Sequence, residues 1–267
     1  MPVSVLDETS TFLSHGYLFA RQQFRHLQAQ LAHLSGRPLP ETRFILFGRG
    51  RSGTTALVSM LDDVPGVQCE GEVLHNYVPF PYGHVLGRTA RCPATAYGCK
   101  ILSYQIKDVQ RPPGRREDFI RTLHYEHGFQ ILYLRRTNLL RHALSNIRAR
   151  RDTFHRKKSD PDDGPRALHV DPDHVVEWIE SSEALNEYEH ALLDDVSYLS
   201  LTYEEHIRQA EDHQSTVDTV CDFLGIESGP VESSYRKVAP PSLRDQVANY
   251  EELAQRLDGT PYAEYLD

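Results

Sequence analysis

A short apolar run that breaks into a glycine-rich turn and then a helix start limits this chain more than any other feature. Phe44, Ile45, Leu46 and Phe47 are four consecutive apolar residues, the mark of a strand buried on both faces. Gly48, Gly50 and Gly53 follow and remove the Cβ atoms that would block a tight turn. Thr54 and Thr55 then open a helical pattern carrying Leu57, Val58, Met60 and Leu61. Strand, glycine loop and helix N-terminus together bring unpaired N–H groups and the helix dipole to one point, which is a cradle for phosphate-like anions.

The loop nearly meets the spacing of nucleotide-binding P-loops, with four residues between Gly48 and Gly53. The lysine expected next is replaced by Thr54, and the positive charge sits inside the loop as Arg49 and Arg51. A second apolar run, Phe129 to Leu134, ends in Arg135 and Arg136, not in the aspartate that would hold magnesium. Both departures favour an anion bound without a metal over a magnesium-dependent nucleotide hydrolase.

Alternation of strand and helix continues down the chain. Val67 to Cys69, Tyr97 to Ile106 and Val196 to Leu201 read as further strands. Residues 115–128, 138–150, 171–193, 217–225 and 242–257 read as helices, the third capped by Asp171 with Pro172 in its first turn. The expected fold is α/β, a parallel central sheet flanked by helices, with any ligand at the carboxyl ends of the strands. Residues 1–40 form a helical extension in which Phe24, Leu27, Leu31 and Leu34 share helical spacing; covering a sheet edge is the expected role, a homodimer contact the alternative. Residues 41–267 form one domain. The Pro-, Gly- and Tyr-rich stretch 76–93 reads as an irregular connection, with Tyr77, Phe80 and Tyr82 either stacking on an acceptor or packing. Residues 152–170 read as a mobile lid.

The balance of 29 Lys and Arg against 38 Asp and Glu gives −9, which excludes a nucleic-acid binder and makes the local arginines informative. Cys69, Cys92, Cys99 and Cys221 have no CxxC or zinc spacing, and His124 with His127 lacks a third ligand, so no metal is expected. With no membrane-length apolar run and no leader pattern, the expected location is cytoplasmic.

The segment GRGRSGTTALVSML resembles the 5′-phosphosulfate loop of sulfotransferases that use 3′-phosphoadenosine 5′-phosphosulfate (PAPS), in the bacterial and carbohydrate form with Arg51 where the cytosolic branch has lysine. LYLRRTNLLRHALSNIRAR is similar to the family's 3′-phosphate segment. The resemblance implies a P-loop-like fold. It places Arg49, Gly50, Arg51, Ser52, Gly53, Thr54 and Thr55 around the phosphosulfate, with Arg136 and Ser145 on the 3′-phosphate and Arg135 as the alternative arginine. It also sets Tyr203 near the adenine and Arg236 and Lys237 over the nucleotide, with Arg244 third. Glu72, twenty residues past Ser52, is then the general base, His75 the alternative, and Glu70 a solvated neighbour. Lys100 faces either the reacting group or solvent. The acceptor is a hydroxyl of a small molecule, glycan or glycolipid. A P-loop small-molecule kinase and a catalytically silent nucleotide-binding protein are the competing readings.

Overall fold

A computed structural model describes residues 23–112, 115–155, 167–231 and 242–266, with side chains of 152–155 excluded. Five strands form one all-parallel sheet in the order β2-β3-β1-β4-β5. They are β1 (Thr42–Gly48), β2 (Val67–Glu72), β3 (Ala96–Leu102), β4 (Gln130–Arg135) and β5 (Tyr198–Thr202). The central strands are buried over most of their length because helices cover both faces, and they are apolar there apart from Lys100 in β3. Phe44 and Leu46 point to one face with Leu132, Leu134 and helices α2 (Thr54–Asp62) and α8 (His213–Leu224). Ile45 and Phe47 point to the other, against α3 (Pro81–Thr89) and α4 (Asp118–Tyr125).

Chain order fixes where a ligand can sit. After β1 the chain runs to β2 at one edge, whereas after β4 it runs to β5 at the other. The connections therefore leave these neighbours in opposite directions and open a crevice at their carboxyl ends. Gly48 closes β1 there, and a Cβ on it would collide with the carbonyl of Leu134 in β4.

A third apolar cluster joins α5 (Leu139–His155), α6 (Pro172–Leu192), α9 (Leu243–Gln246) and α10 (Tyr250–Leu257). Asp171 accepts from the Asp173 N–H at 3.0 Å, with Pro172 at the first helical position, as the sequence predicts. A short helix, α7 (Tyr203–His206), follows β5 directly.

Several boundaries differ from the sequence reading. Residues 81–89 are helical, because Pro81 occupies a first-turn position where its missing N–H costs nothing. Strand β3 ends at Leu102, and Gln105–Val109 form a π-helical turn. Helix α4 begins only at Asp118, and the expected terminal helix is broken into α9 and α10. Residues 23–34 form a helix, α1, but its spaced apolar side chains do not cover a sheet edge. Its opposite face, with His26, Ala29 and Ala32, is buried, and its backbone comes so close to α3 that a Cβ at Gly87 would strike the Ala29 carbonyl.

Candidate active site

The loop between β1 and α2 is held in a shape that leaves its donors free. Gly53 caps α2 with φ 85°, and no side chain caps the helix's first turn. First-turn N–H groups have no helical acceptor, so they remain available to an anion. Arg51 also adopts a left-handed backbone, φ 65°. Ser52 is fully buried and its Oγ has no partner among the described residues. A Cβ on Gly53 would come within 2.9 Å of the Tyr203 ring and 2.8 Å of Ile207, so the start of α7 is seated against the loop.

One group of side chains gathers at the carboxyl ends of β2 and β3. Glu70 pairs with Cys99 across the ladder, but Glu72 pairs with Lys100, so two residues of β2 oppose one of β3. Without this bulge Glu72 would share the face of Glu70; the extra residue, Gly71, turns it onto the face of α2. There Glu72 Oε1 lies 3.2 Å from Lys100 Nζ, which also donates to Thr55 Oγ1 at 3.1 Å. Glu72 Oε2 accepts from Tyr104 Oη at 3.1 Å and Gln105 Nε2 at 2.8 Å. His75 Nδ1 lies 3.1 Å from Tyr104 Oη and 3.3 Å from Glu72 Oε2. Burial pushes the Glu72 pKa up, but the Lys100 charge and the Lys100 and Tyr104 hydrogen bonds outweigh it and hold the carboxyl below its ordinary range. Glu72 is thus ionised at neutral pH and able to receive a proton.

A second group lies on the β4 side of the same loop. Arg51 Nε is 3.4 Å from Ser145 Oγ on α5, and Arg136 donates to the Arg51 carbonyl at 3.5 Å. Arg136 stacks over the Tyr203 ring at 4.5 Å and lies 3.8 Å from Glu204. Glu204 is already engaged, accepting from the backbone N–H groups of Thr137 and Asn138 at the start of α5. Arg136 Nε is buried without a hydrogen-bond partner, and burial lowers the guanidinium's pKa. The group therefore holds two guanidiniums, a hydroxyl and an aromatic face, a donor set that suits a phosphate and a planar base.

His142 links α5 to the loop. Its Nε2 lies 2.7 Å from the Gly50 carbonyl, which can only accept, so Nε2 carries the proton. Burial, aided by the charges of Arg49, Arg136 and Arg51, outweighs that bond and lowers its pKa to about 3. The ring is neutral, packed edge-on to Trp178 at 5.0 Å.

Most residues expected at the site meet at this loop: Gly50, Arg51, Ser52, Gly53, Thr54, Thr55, Glu72, His75, Arg136, Ser145 and Tyr203. Arg49 does not. Its side chain is buried toward α6, 3.3 Å from Glu189 and bonded to Asn186 and the Ser182 carbonyl. Glu70 is not a solvated carboxylate; it pairs with Arg88 and accepts from Tyr97 Oη. Arg135 closes β4 opposite Thr202, and Arg244 pairs with Glu251 and lies over Tyr250. Arg236 and Lys237, and most of the expected lid, lie outside the described residues. Tyr104, Gln105, His142 and Glu204 join the site without having been singled out for it in the sequence. Lys100, left open there, is 5% exposed and faces the loop. The signal for it was a lysine inside an otherwise apolar strand.

Among the described residues no three His, Cys, Asp or Glu side chains gather where one metal ion could be held, and no helix is long and apolar enough to cross a membrane. Comparison of the chain with protein-family models, with curated proteins and with solved structures gives no significant match.

Proposed function

We propose that this chain is a PAPS-dependent sulfotransferase with a P-loop-like site, transferring a sulfuryl group to a hydroxyl of a small molecule, glycan or glycolipid. One observation carries the reading: an ionised carboxylate network touches the first turn of α2, and a guanidinium–hydroxyl cluster touches the glycine loop that leads into it.

The residues present fit such a donor. Ser52 Oγ and Arg136 Nε are buried polar atoms without hydrogen-bond partners among the described residues, and the α2 N-terminus is uncapped. When bound, PAPS supplies an electrophilic sulfuryl group and a phosphate leaving group. The loop N–H groups, Arg51, Thr54 and Thr55 would hold the 5′-phosphosulfate, and Arg136 with Ser145 the 3′-phosphate, beside Tyr203 for the adenine. Glu72 takes the proton of the acceptor hydroxyl on a carboxylate oxygen. Tyr104 and Gln105 orient it, and Gln105 is itself fixed by accepting from the Leu102 N–H at 3.1 Å. Lys100 stands between Glu72 and Thr55, where its charge favours negative charge at the loop.

That same lysine favours a second reading, a small-molecule kinase, because it stands beside the first turn of α2 as a substitute for the lysine that Thr54 replaces. Titration calorimetry with the desulfated product PAP and with ATP, each with and without magnesium, separates the two. PAP binding without magnesium, with label transferred from PAPS to a hydroxyl acceptor, is the expected result. Magnesium-dependent preference for ATP would overturn it.

A further inference from the structure

Arg49 is the one arginine of the glycine loop whose side chain turns away from the space above it. All three nitrogens of its guanidinium face α6 instead. Nε lies 3.3 Å from Glu189 Oε1, Nη1 donates to the Ser182 carbonyl at 3.2 Å, and Nη2 donates to Asn186 Oδ1. Ser182, Asn186 and Glu189 are spaced four and three apart, so they share one face of that helix. Tyr133, the β4 partner of Phe47 in β1, donates to the other Glu189 oxygen, Oε2, at 2.8 Å. Glu189 is fully buried, and its Oε1 meets Arg49 as a charge without the alignment of a hydrogen bond. The first residue beyond β1 is thereby tied to a helix more than 130 residues further along the chain.

The next residue is tied to the same helix by another route. His142 donates to the Gly50 carbonyl at 2.7 Å, and its ring rests edge-on against Trp178, one turn before Ser182 on α6. Immediately after these two held residues comes Arg51 with its left-handed backbone, φ 65°. Strain of that kind persists only where the surroundings over-determine it. A buried ion pair adds little net stability compared with apolar side chains of the same size, so geometry is what this one supplies.

We propose that Arg49 and Glu189 are positioning residues. Their pair ties the glycine loop to α6 and holds its N–H groups where an anion meets them, while the Arg49 guanidinium itself stays out of contact with that anion. The inference rests on the reading that this loop takes the anionic end of the donor, and it assigns Arg49 a place behind the loop instead of at the phosphosulfate.

The test compares the full chain with Arg49→Met, Glu189→Gln and the two combined. Calorimetry with PAP gives affinity, and hydrogen exchange of the ligand-free protein reads residues 49–55 directly. Each single change is expected to weaken PAP binding by about 10-fold, within the range for residues coupled by direct contact, and the combination no more than either alone. Exchange in 49–55 is expected to quicken in all three, with β1 and β4 still protected. If Arg49→Met loses affinity while Glu189→Gln keeps or gains it, the guanidinium is a ligand and the proposal fails. It fails equally if urea midpoints fall while PAP affinity and loop exchange match the wild type, because the pair then serves stability alone. Should a single variant not fold, as an unpaired buried charge can cause, the combined one carries both readouts. A wild type without PAP affinity would count against the sulfotransferase reading, and loop exchange would still decide for or against the tie to α6.

Discussion

Glu72 and Lys100 face one another across a bulge in β2, carboxylate and ammonium 3.2 Å apart, and the bulge alone puts them on the same face of the sheet. The carboxylate is consequently shared between a cation that holds it ionised and two neutral donors that hold it in place. Glu70, two residues earlier, is spent on Arg88 and Tyr97. Two glutamates in one strand thus face opposite sides of the sheet, one closed in an ion pair with Arg88 and the other set beside Lys100 and Thr55, divided by a single extra residue.

Glu72→Gln should keep the shape of the network, bind PAP as the wild type does and lose turnover by about 100-fold or more, the scale of removing a general base. Calorimetry and label transfer from PAPS check the two halves separately. Turnover close to normal would transfer the role to His75.

Lys100→Met should raise the Glu72 pKa, because burial is then no longer outweighed by the lysine's charge and hydrogen bond. The acid limb of kcat/KM should move to higher pH. A limb that stays in place would show that Glu72 is not the group whose ionisation the reaction needs.

Arg136→Ala should weaken PAP binding by 10-fold or more, as expected for losing a charge-assisted contact worth about 1.5–3 kcal/mol, while leaving a nucleotide without the 3′-phosphate little affected. Equal losses for both ligands would remove Arg136 from the 3′-phosphate.

Acid should destabilise the protein through its buried histidines. Burial, assisted by Arg88 and His26, lowers the His84 pKa to about 4, and burial lowers that of His142 to about 3, both from 6.5. Between those values and 6.5 the unfolded chain takes up protons that the folded chain refuses. Stability is therefore complete above about pH 6.5 and declines as pH falls, by up to about 1.4 kcal/mol per pH unit for each histidine. Urea midpoints at stepped pH measure the slope, and His84→Leu should flatten it; an unchanged slope would count against His84 as its source.

The parts of the fold legible in the sequence are those where local chemistry and burial agree. Phe44 to Leu61 announces strand, loop and helix because the apolar run, the glycines and the helical spacing all point one way. Asp171 and Pro172 mark the start of α6 for the same reason. Helix α3 was hidden because Gly83 and Gly87 look like breakers, whereas their bare backbones make room for α1: a Cβ on Gly83 would press on the Gln30 amide as one on Gly87 would on Ala29. The facing of Glu72 could not be read, since parity along β2 assigns it to the wrong side and only the pairing with β3 reveals the bulge. His142 lay within an ordinary amphipathic pattern, and its tie to Gly50 spans 92 residues of chain.

Arg51 occupies a backbone geometry that disfavours any side chain, at a cost on the order of 1 kcal/mol relative to an unstrained residue. A glycine at that seat would relax the turn. Arg51→Gly should thus yield a protein no less resistant to urea yet poorer at capturing dianions. The loop carries a guanidinium where thermodynamic comfort would favour a hydrogen atom, a strain that the proposed grip on a dianion would account for and folding alone does not.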